Sequence, residues 1–350
     1  MVKSKIIFDA EKLKNPYSGL GQFCISLGKA LLYLIPNEIE FYIPKNAKHL
    51  INENCRILPQ KSVHKLFGVP IAENSIYHAT HQTTKYFPSS KKVPVILTIH
   101  DLNFLYKYNK LKSDKKLKEL QYKIDRCQLI TAISKFTANE IRKYIDVKGK
   151  NIEVIYNGNS LQNYSNAVKP KWITEKPFLF TIGIIQERKN FHTLIPLMQN
   201  NRDLNLVIAG DATSEYASKI QQNVKATQMN NQIFIPGKIT DAEKLWLYQN
   251  CLAFVFPSLA EGFGFPVIEA MSMGKPVFVY DGTSLPEIAG KYGNYWKNFE
   301  PNHMTDVLLT GLHNYTQNNL KNNLIEHASQ FNWQNAAKKY VEIYHQLIKK

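Results

Sequence analysis

The stretch 251–280 constrains this chain most, because it reads as strand, glycine loop, helix and strand in immediate succession. Residues 251–256 are all apolar, as in a strand covered on both faces. Glu261-Gly262-Phe263-Gly264-Phe265-Pro266 follows; Pro266 suits a first helical turn and Gly274 a helix C-cap. Residues 276–280 are the next apolar run. A helix joining two such strands is a crossover, so both strands belong to one parallel sheet. The spacing predicts Glu261 in a loop at the carboxyl end of a strand and Glu269 about one turn into the helix. Ligands bind at that edge of an open α/β sheet, and helix N-termini there favour phosphate.

The rest of the chain repeats the alternation. Strand signals fall at 5–9, 39–43, 75–78, 93–99, 129–132 and 152–155, with helices from about 20 to 34 and near 113–126 and 135–146. Phe23, Leu27, Ala30, Leu31 and Leu34 recur at helical spacing and mark one buried face. Asn157-Gly158 reads as a turn, and the polar stretch 159–176, with Pro170 nearby and Pro177 after it, as the linker. Strands resume at 178–183, 204–210 and 232–235. The expected architecture is α/β: two doubly wound domains, 1–165 and 166–330, facing a central cleft. A closing helix is expected within 331–350.

At 350 residues and 44% hydrophobic composition the chain is large enough for two cores. Its formal charge of +16 calls for an anionic partner: nucleic acid, an anionic membrane face or an acidic substrate. Arginine is confined to Arg56, Arg126, Arg142, Arg188 and Arg202. Lys107, Lys110, Lys112, Lys115, Lys116 and Lys118, interleaved with Leu105, Tyr106, Tyr108, Leu111 and Leu117, suit an element resting on an anionic bilayer. The opening residues are too short for a signal-peptide core, and no run of about 18 apolar residues occurs, so a soluble, cytoplasmic protein is expected. Cys24, Cys55, Cys127 and Cys251 lack metal or disulfide spacing and read as small buried hydrophobes.

Several loops carry candidate chemistry. Gly183-Ile184-Ile185-Gln186-Glu187-Arg188-Lys189-Asn190 follows a strand and opens a helix at Phe191; Arg188 offers a planar fork and Lys189 a point charge to a diphosphate. Tyr17-Ser18-Gly19-Leu20-Gly21 offers bare amides to a phosphate, or is a plain tight turn. Cys24 stands where a dinucleotide fingerprint needs a third glycine. His100-Asp101 ends the strongest strand of the first half. His78 and His81 make a poor metal site and read as cleft wall or acceptor surface. No Asp-x-Asp clamp and no ATP-hydrolysing P-loop occurs in the chain, so the expectation is no metal and no cofactor.

These motifs resemble retaining glycosyltransferases of the GT-B fold and GT4 type (glycosyl transferases group 1), which include bacterial mannosyl- and glucosyltransferases. The resemblance implies two Rossmann-like domains, an N-terminal acceptor domain and a C-terminal donor domain, with the closing helix in 331–350 crossing back to the first. It further implies a metal-independent hexosyltransferase using a nucleotide diphosphate sugar, GDP-mannose favoured over a UDP-hexose. By resemblance Glu261, Phe263 and Gly264, with Gly262 and Phe265 in the same loop, face the donor sugar, and Glu269 holds the ribose. Arg188 and Lys189 bind the diphosphate; Gly19 and Gly21 reach toward the donor; His100 lies beside the sugar and its phosphate. Lys238 and Ile239, within Pro236-Gly237-Lys238-Ile239, flank the base, and the loop 281–287 lies beyond the phosphates. The implied partners are the donor and a glycan or lipid-linked acceptor, with peripheral contact to an anionic membrane, no nucleic acid, and a role in polysaccharide synthesis. A GT-B sugar-nucleotide epimerase and a basic nucleic-acid-binding protein are the alternatives.

Overall fold

The computed structural model describes residues 5–161 and 166–348. The chain divides into two compact units, residues 1–160 with 331–350, and residues 161–330. The domain boundary expected at residue 165 falls outside the described residues.

Among the described residues, the first unit holds strands β1 (Ile6–Asp9), β2 (Ile39–Ile43), β3 (Ile57–Pro59), β4 (Ile76–Ala79), β5 (Val95–Ile99), β6 (Leu129–Ala132) and β7 (Ile152–Val154). They form one parallel sheet in the order β3-β2-β1-β4-β5-β6-β7. Its helices are α1 (Gly19–Leu34), α2 (His64–Phe67), α3 (Phe104–Lys107), α4 (Lys110–Arg126) and α5 (Lys135–Tyr144). Local chemistry sets the helix starts: Ser18, Asn109 and Ser134 each accept a backbone N–H of the first turn. Phe23, Leu27, Ala30 and Leu31 are buried and Leu34 half-buried, so the predicted face of α1 is the packed one.

The second unit holds β8 (Phe178–Ile182), β9 (Asn205–Ala209), β10 (Ile233–Gly237), β11 (Ala253–Phe256), β12 (Val277–Tyr280) and β13 (Gly293–Trp296), all parallel, in the order β10-β9-β8-β11-β12-β13. Around them lie α6 (Leu194–Gln199), α7 (Glu215–Ala226), α8 (Asp241–Asn250), α9 (Phe265–Ser272), α10 (Leu285–Ala289), α11 (Pro301–Gln317) and α12 (Lys321–Ser329). Thr240 and Glu243 form a reciprocal capping box on α8. The edge strands β3 and β13 are additions to the sequence reading. β3 is short, mostly exposed and closed by a proline, and β13 reads Gly-Asn-Tyr-Trp, so neither presents an apolar run.

The last helix, α13 (Trp333–Ile348), belongs to the first unit and packs on α1 and β4. Its Tyr344 hydroxyl lies 2.6 Å from His78 Nδ1, and His78 Nε2 lies 2.7 Å from Thr98 Oγ1. Thr98 continues the chain of contacts to Thr131 and Tyr340. His78 is therefore a buried core histidine and not the cleft wall expected from the sequence; burial pushes its pKa down to about 3. Tyr344→Phe would strand that ring nitrogen in the core. It is expected to lower stability by about 1 to 3 kcal/mol, measured by urea unfolding.

All four cysteines are free and buried. No helix among the described residues is long and apolar enough to cross a membrane.

Candidate active site

In the second unit the chain leaves β8 toward β9 and returns as β11 on its other side, a topological switch point. The two loops at the carboxyl ends of β8 and β11 meet there. Leu259 N–H donates to Arg188 O at 2.8 Å, and Ser258 Oγ to the same carbonyl at 3.3 Å. The first loop folds as a 3₁₀ turn, Glu187–Lys189, and Asn190 takes a left-handed conformation (φ 57°). The helix expected to open at Phe191 begins as a second 3₁₀ turn, Phe191–Thr193, before α6. Gly210 allows the neighbouring loop to pass, since a Cβ there would sit 1.9 Å from Gly183 O.

Three donors converge on a single oxygen of Glu261. Lys189 Nζ lies 2.5 Å, Ser258 Oγ 2.6 Å and Arg188 Nη1 3.1 Å from Oε1. No hydrogen bond among the described residues reaches Oε2. Arg188 is fixed further by Ala260 O at 2.8 Å, and by Gln186 when that amide turns its oxygen to Arg188 Nε and Nη2 (2.9 and 3.1 Å). Lys189 is only 5% exposed, with its ammonium 4.5 Å from the Phe256 ring centroid. Burial pulls its pKa down to about 8 against the opposing pull of Glu261. For Glu261, burial raises the pKa, but the charges of Lys189 and Arg188 outweigh it and hold the carboxyl below its usual value.

The glycine loop beyond Glu261 is pinned from below. Ser284 Oγ, fully buried, reaches Glu261 O at 3.0 Å and Phe263 O at 2.8 Å. Gly264 takes φ 113° as it enters α9, and Pro266 lies in the first turn. Gly262 is buried, and Phe265 is partly exposed. The Phe263 side chain is buried edge-to-face against Phe265, at 5.3 Å between ring centroids, which leaves its main chain to face a ligand.

Glu269 is also engaged. Its Oε1 takes Lys244 Nζ at 2.7 Å and its Oε2 the Tyr248 hydroxyl at 2.8 Å, both from α8. At the end of β10, Lys238 is exposed and pairs with Asp211 at 3.0 Å, while Ile239 is half-buried. Sequence reasoning missed Ser258, Gln186, Ser284, Lys244 and Tyr248. Ser258, three residues before Glu261, had a local signal; the α8 pair had none, because only packing brings α8 to Glu269.

The first unit has its own switch point, between β1 and β4. Asp9, fully buried, accepts Thr84 Oγ1 at 2.7 Å and Glu11 N–H at 3.0 Å, and burial pushes its pKa up to about 7. His81 is enclosed beside Glu11, its Nε2 3.4 Å from Oε2, and burial lowers its pKa to about 4. Like His78 it lies inside, and not on the surface expected of it. His100 follows β5, and its Nε2 donates to Thr80 O at 2.8 Å. Burial lowers its pKa to about 3, so the ring is neutral. Gly19 is the exposed first residue of α1. Gly21 corrects the bare-amide reading. Its N–H donates to Ser18 Oγ at 3.0 Å, and a Cβ would meet Asn15 O at 2.2 Å, so glycine is needed there for close backbone packing.

The family profile of glycosyl transferases group 1 matches residues 165–331, and that of Glycosyltransferase Family 4 matches residues 75–162. Between them these two glycosyltransferase profiles match most of the chain, which resembles the family 4 glycosyltransferases. The chain is similar to the serotype-specific mannosyltransferase WbdA of Escherichia coli, 27% identical over 72% of this chain and 33% of WbdA. It thus spans about a third of the length of that relative. The O-antigen chain mannosyltransferase B of Escherichia coli is 24% identical over 97% of this chain and 99% of its own. Sucrose-phosphate synthase from Thermosynechococcus elongatus superposes with a TM-score of 0.76 at 17% identity, covering 99% of this chain and 100% of that one. The chain has the GT-B fold.

Proposed function

We propose that this glycosyltransferase moves a hexose, mannose by preference, from a nucleotide diphosphate sugar to an acceptor hydroxyl, with retention at the transferred carbon and without a metal. The observation that carries the reading is the Glu261 cluster at the switch point. Two cations and a serine saturate Oε1, while Oε2 stays available to a sugar hydroxyl. Oxocarbenium character and a departing diphosphate define the transition state, so preorganised cations supply most of the stabilisation. Arg188 and Lys189 take the diphosphate, Glu261 orients the sugar and main-chain groups of the glycine loop complete the cradle. Glu269, held by Lys244 and Tyr248, takes the ribose. His100, neutral, serves as a hydrogen-bonding group beside the sugar. Lys238 and Ile239 flank the base.

The simplest retaining path is front-face, with the donor phosphate accepting the acceptor proton. Similarity to O-antigen mannosyltransferases supports mannose and a glycan or lipid-linked acceptor in cell-surface polysaccharide synthesis at the cytoplasmic side of a membrane. The missing Asp-x-Asp clamp and the two cations proposed for the diphosphate support metal independence.

The test is a thermal-shift screen of GDP-mannose and UDP-hexoses, followed by a transfer assay in EDTA. A ligand at about 100 times its Kd stabilises by about 2.7 kcal/mol. Stabilisation by GDP-mannose and full turnover in chelator are expected. Activity lost in EDTA and restored by Mn²⁺ would overturn metal independence. Release of nucleoside diphosphate only when an acceptor is added separates transfer from epimerisation.

A further inference from the structure

We infer that Thr283, in the loop after β12, is a further contact to the transferred hexose, held ready for it in a strained backbone conformation. The inference rests on the donor site proposed above and adds to it a residue that determines how the sugar is held. Six non-glycine residues among those described have positive φ, and Thr283, at 57°, is the β-branched one. A branched Cβ makes that conformation a true outlier, which persists only where the surroundings impose it.

Both flanks of the loop are fixed. On one side Asp281 N–H donates to Trp296 O at 3.0 Å, and the Tyr280 ring lies so close to the next peptide that a Cβ on Gly282 would sit 2.3 Å from its Cε1. On the other side Ser284 Oγ holds the carbonyls of Glu261 and Phe263, and Leu285 covers Gly264, where a Cβ would meet Leu285 Cδ2 at 3.0 Å. Thr283 therefore makes the turn between the sheet and the glycine loop. Glycine would make the same turn without strain. What threonine brings instead is a hydroxyl, and its Oγ1 is enclosed with no hydrogen-bond partner among the described residues. Strain and an unpaired hydroxyl both disfavour the free protein, and a ligand that pairs the hydroxyl offsets them. The residue as a whole is half-buried, and a turn about χ1 exchanges its hydroxyl and its methyl.

Strand order indicates which part of the donor meets this hydroxyl. Across the carboxyl edge of the sheet the loops follow as β10, β9, β8, β11 and β12. Lys238, assigned to the base, ends β10; Arg188 and Lys189, assigned to the diphosphate, follow β8; Glu261, assigned to the sugar, follows β11. The donor read from base to hexose thus runs along the strand order toward β12. A hexose bonded to a diphosphate at the β8 loop and lying on Glu261 points to the next loop, one strand spacing of about 4.8 Å further on. That loop carries Thr283.

The experiment is calorimetry of GDP, GDP-mannose, UDP and UDP-glucose with the full chain, as parent, Thr283→Val and Thr283→Ser. Valine keeps the branched shape and the strain and removes only the hydroxyl. Thr283→Val is expected to keep the parent melting temperature and nucleoside diphosphate affinity. It should bind the sugar nucleotide that the parent binds about fivefold more weakly, as for the loss of one neutral hydrogen bond. Thr283→Ser, which keeps a hydroxyl, should bind it more tightly than Thr283→Val does. A lower melting temperature for Thr283→Val would show the hydroxyl paired in the free protein, and equal weakening of the nucleoside diphosphate would put it at the phosphates. Either result would overturn the inference, as would unchanged binding of the sugar nucleotide or a serine variant no better than valine; all four leave the donor reading standing. A parent that binds neither sugar nucleotide would overturn the donor reading and this inference together.

Discussion

Glu261→Gln is expected to slow sugar transfer at least about tenfold, equivalent to roughly 1.4 kcal/mol of barrier, because the carboxylate is proposed to contact the hexose and the positive charge that develops on it. Its effect on nucleoside diphosphate affinity should depend on pH. The substitution removes a negative charge beside the diphosphate site, so at pH 6 affinity should hold or rise. It also removes the partner 2.5 Å from Lys189 that opposes the lowering of that ammonium's pKa. The Lys189 pKa, about 8 in the parent, should then fall further, so the cation is lost at a lower pH as pH rises. Affinity of the variant should therefore begin to drop at lower pH than in the parent, read by calorimetry from pH 6 to 9. Glu269→Gln should instead weaken donor and free nucleoside diphosphate together at every pH. A Glu261→Gln enzyme with parental turnover, or one that loses affinity at pH 6 as Glu269→Gln does, would refute the division of roles.

Lys189→Met should show the largest combined loss. Removing one charge-assisted contact to the diphosphate costs about 1.5 to 3 kcal/mol of affinity. Stability should also fall, by about 3 kcal/mol, since breaking a buried ion pair leaves the Glu261 carboxylate less compensated. The loss stays at the low end of the roughly 3 to 5 kcal/mol typical of a broken buried ion pair, because Arg188 and Ser258 still hold Oε1. The double variant Lys189→Met with Glu261→Gln, which removes both charges, should recover much of the stability in urea unfolding but none of the transfer. Additive stability losses would show that the pair is not coupled.

The two units and the loop positions of Arg188, Lys189 and Glu261 were legible from the sequence. The reason is local: a strand covered on both faces must be an apolar run, and the turn residues between runs mark its ends. The run 251–256 became β11, and Pro266 and Gly274 bracket α9 as expected. β3 and β13 escaped the reading because neither is fully buried, so neither needed a continuous apolar pattern, whereas the other two edge strands, β7 and β10, keep enough apolar residues to be read.

Sequence by itself determined the order of strands and helices, the loops that carry charge and the family. Tertiary structure alone decided what those charges meet. Pairing β8 beside β11, strands about seventy residues apart, brings Lys189 and Arg188 onto one oxygen of Glu261 and buries the lysine. Packing of α8 brings Lys244 and Tyr248 to Glu269, and packing within the first unit encloses His78 and His81, which looked like surface residues at strand ends. Periodicity reports how each segment meets the core, whereas a contact between side chains distant in sequence depends on strand order and helix packing, which no local pattern encodes.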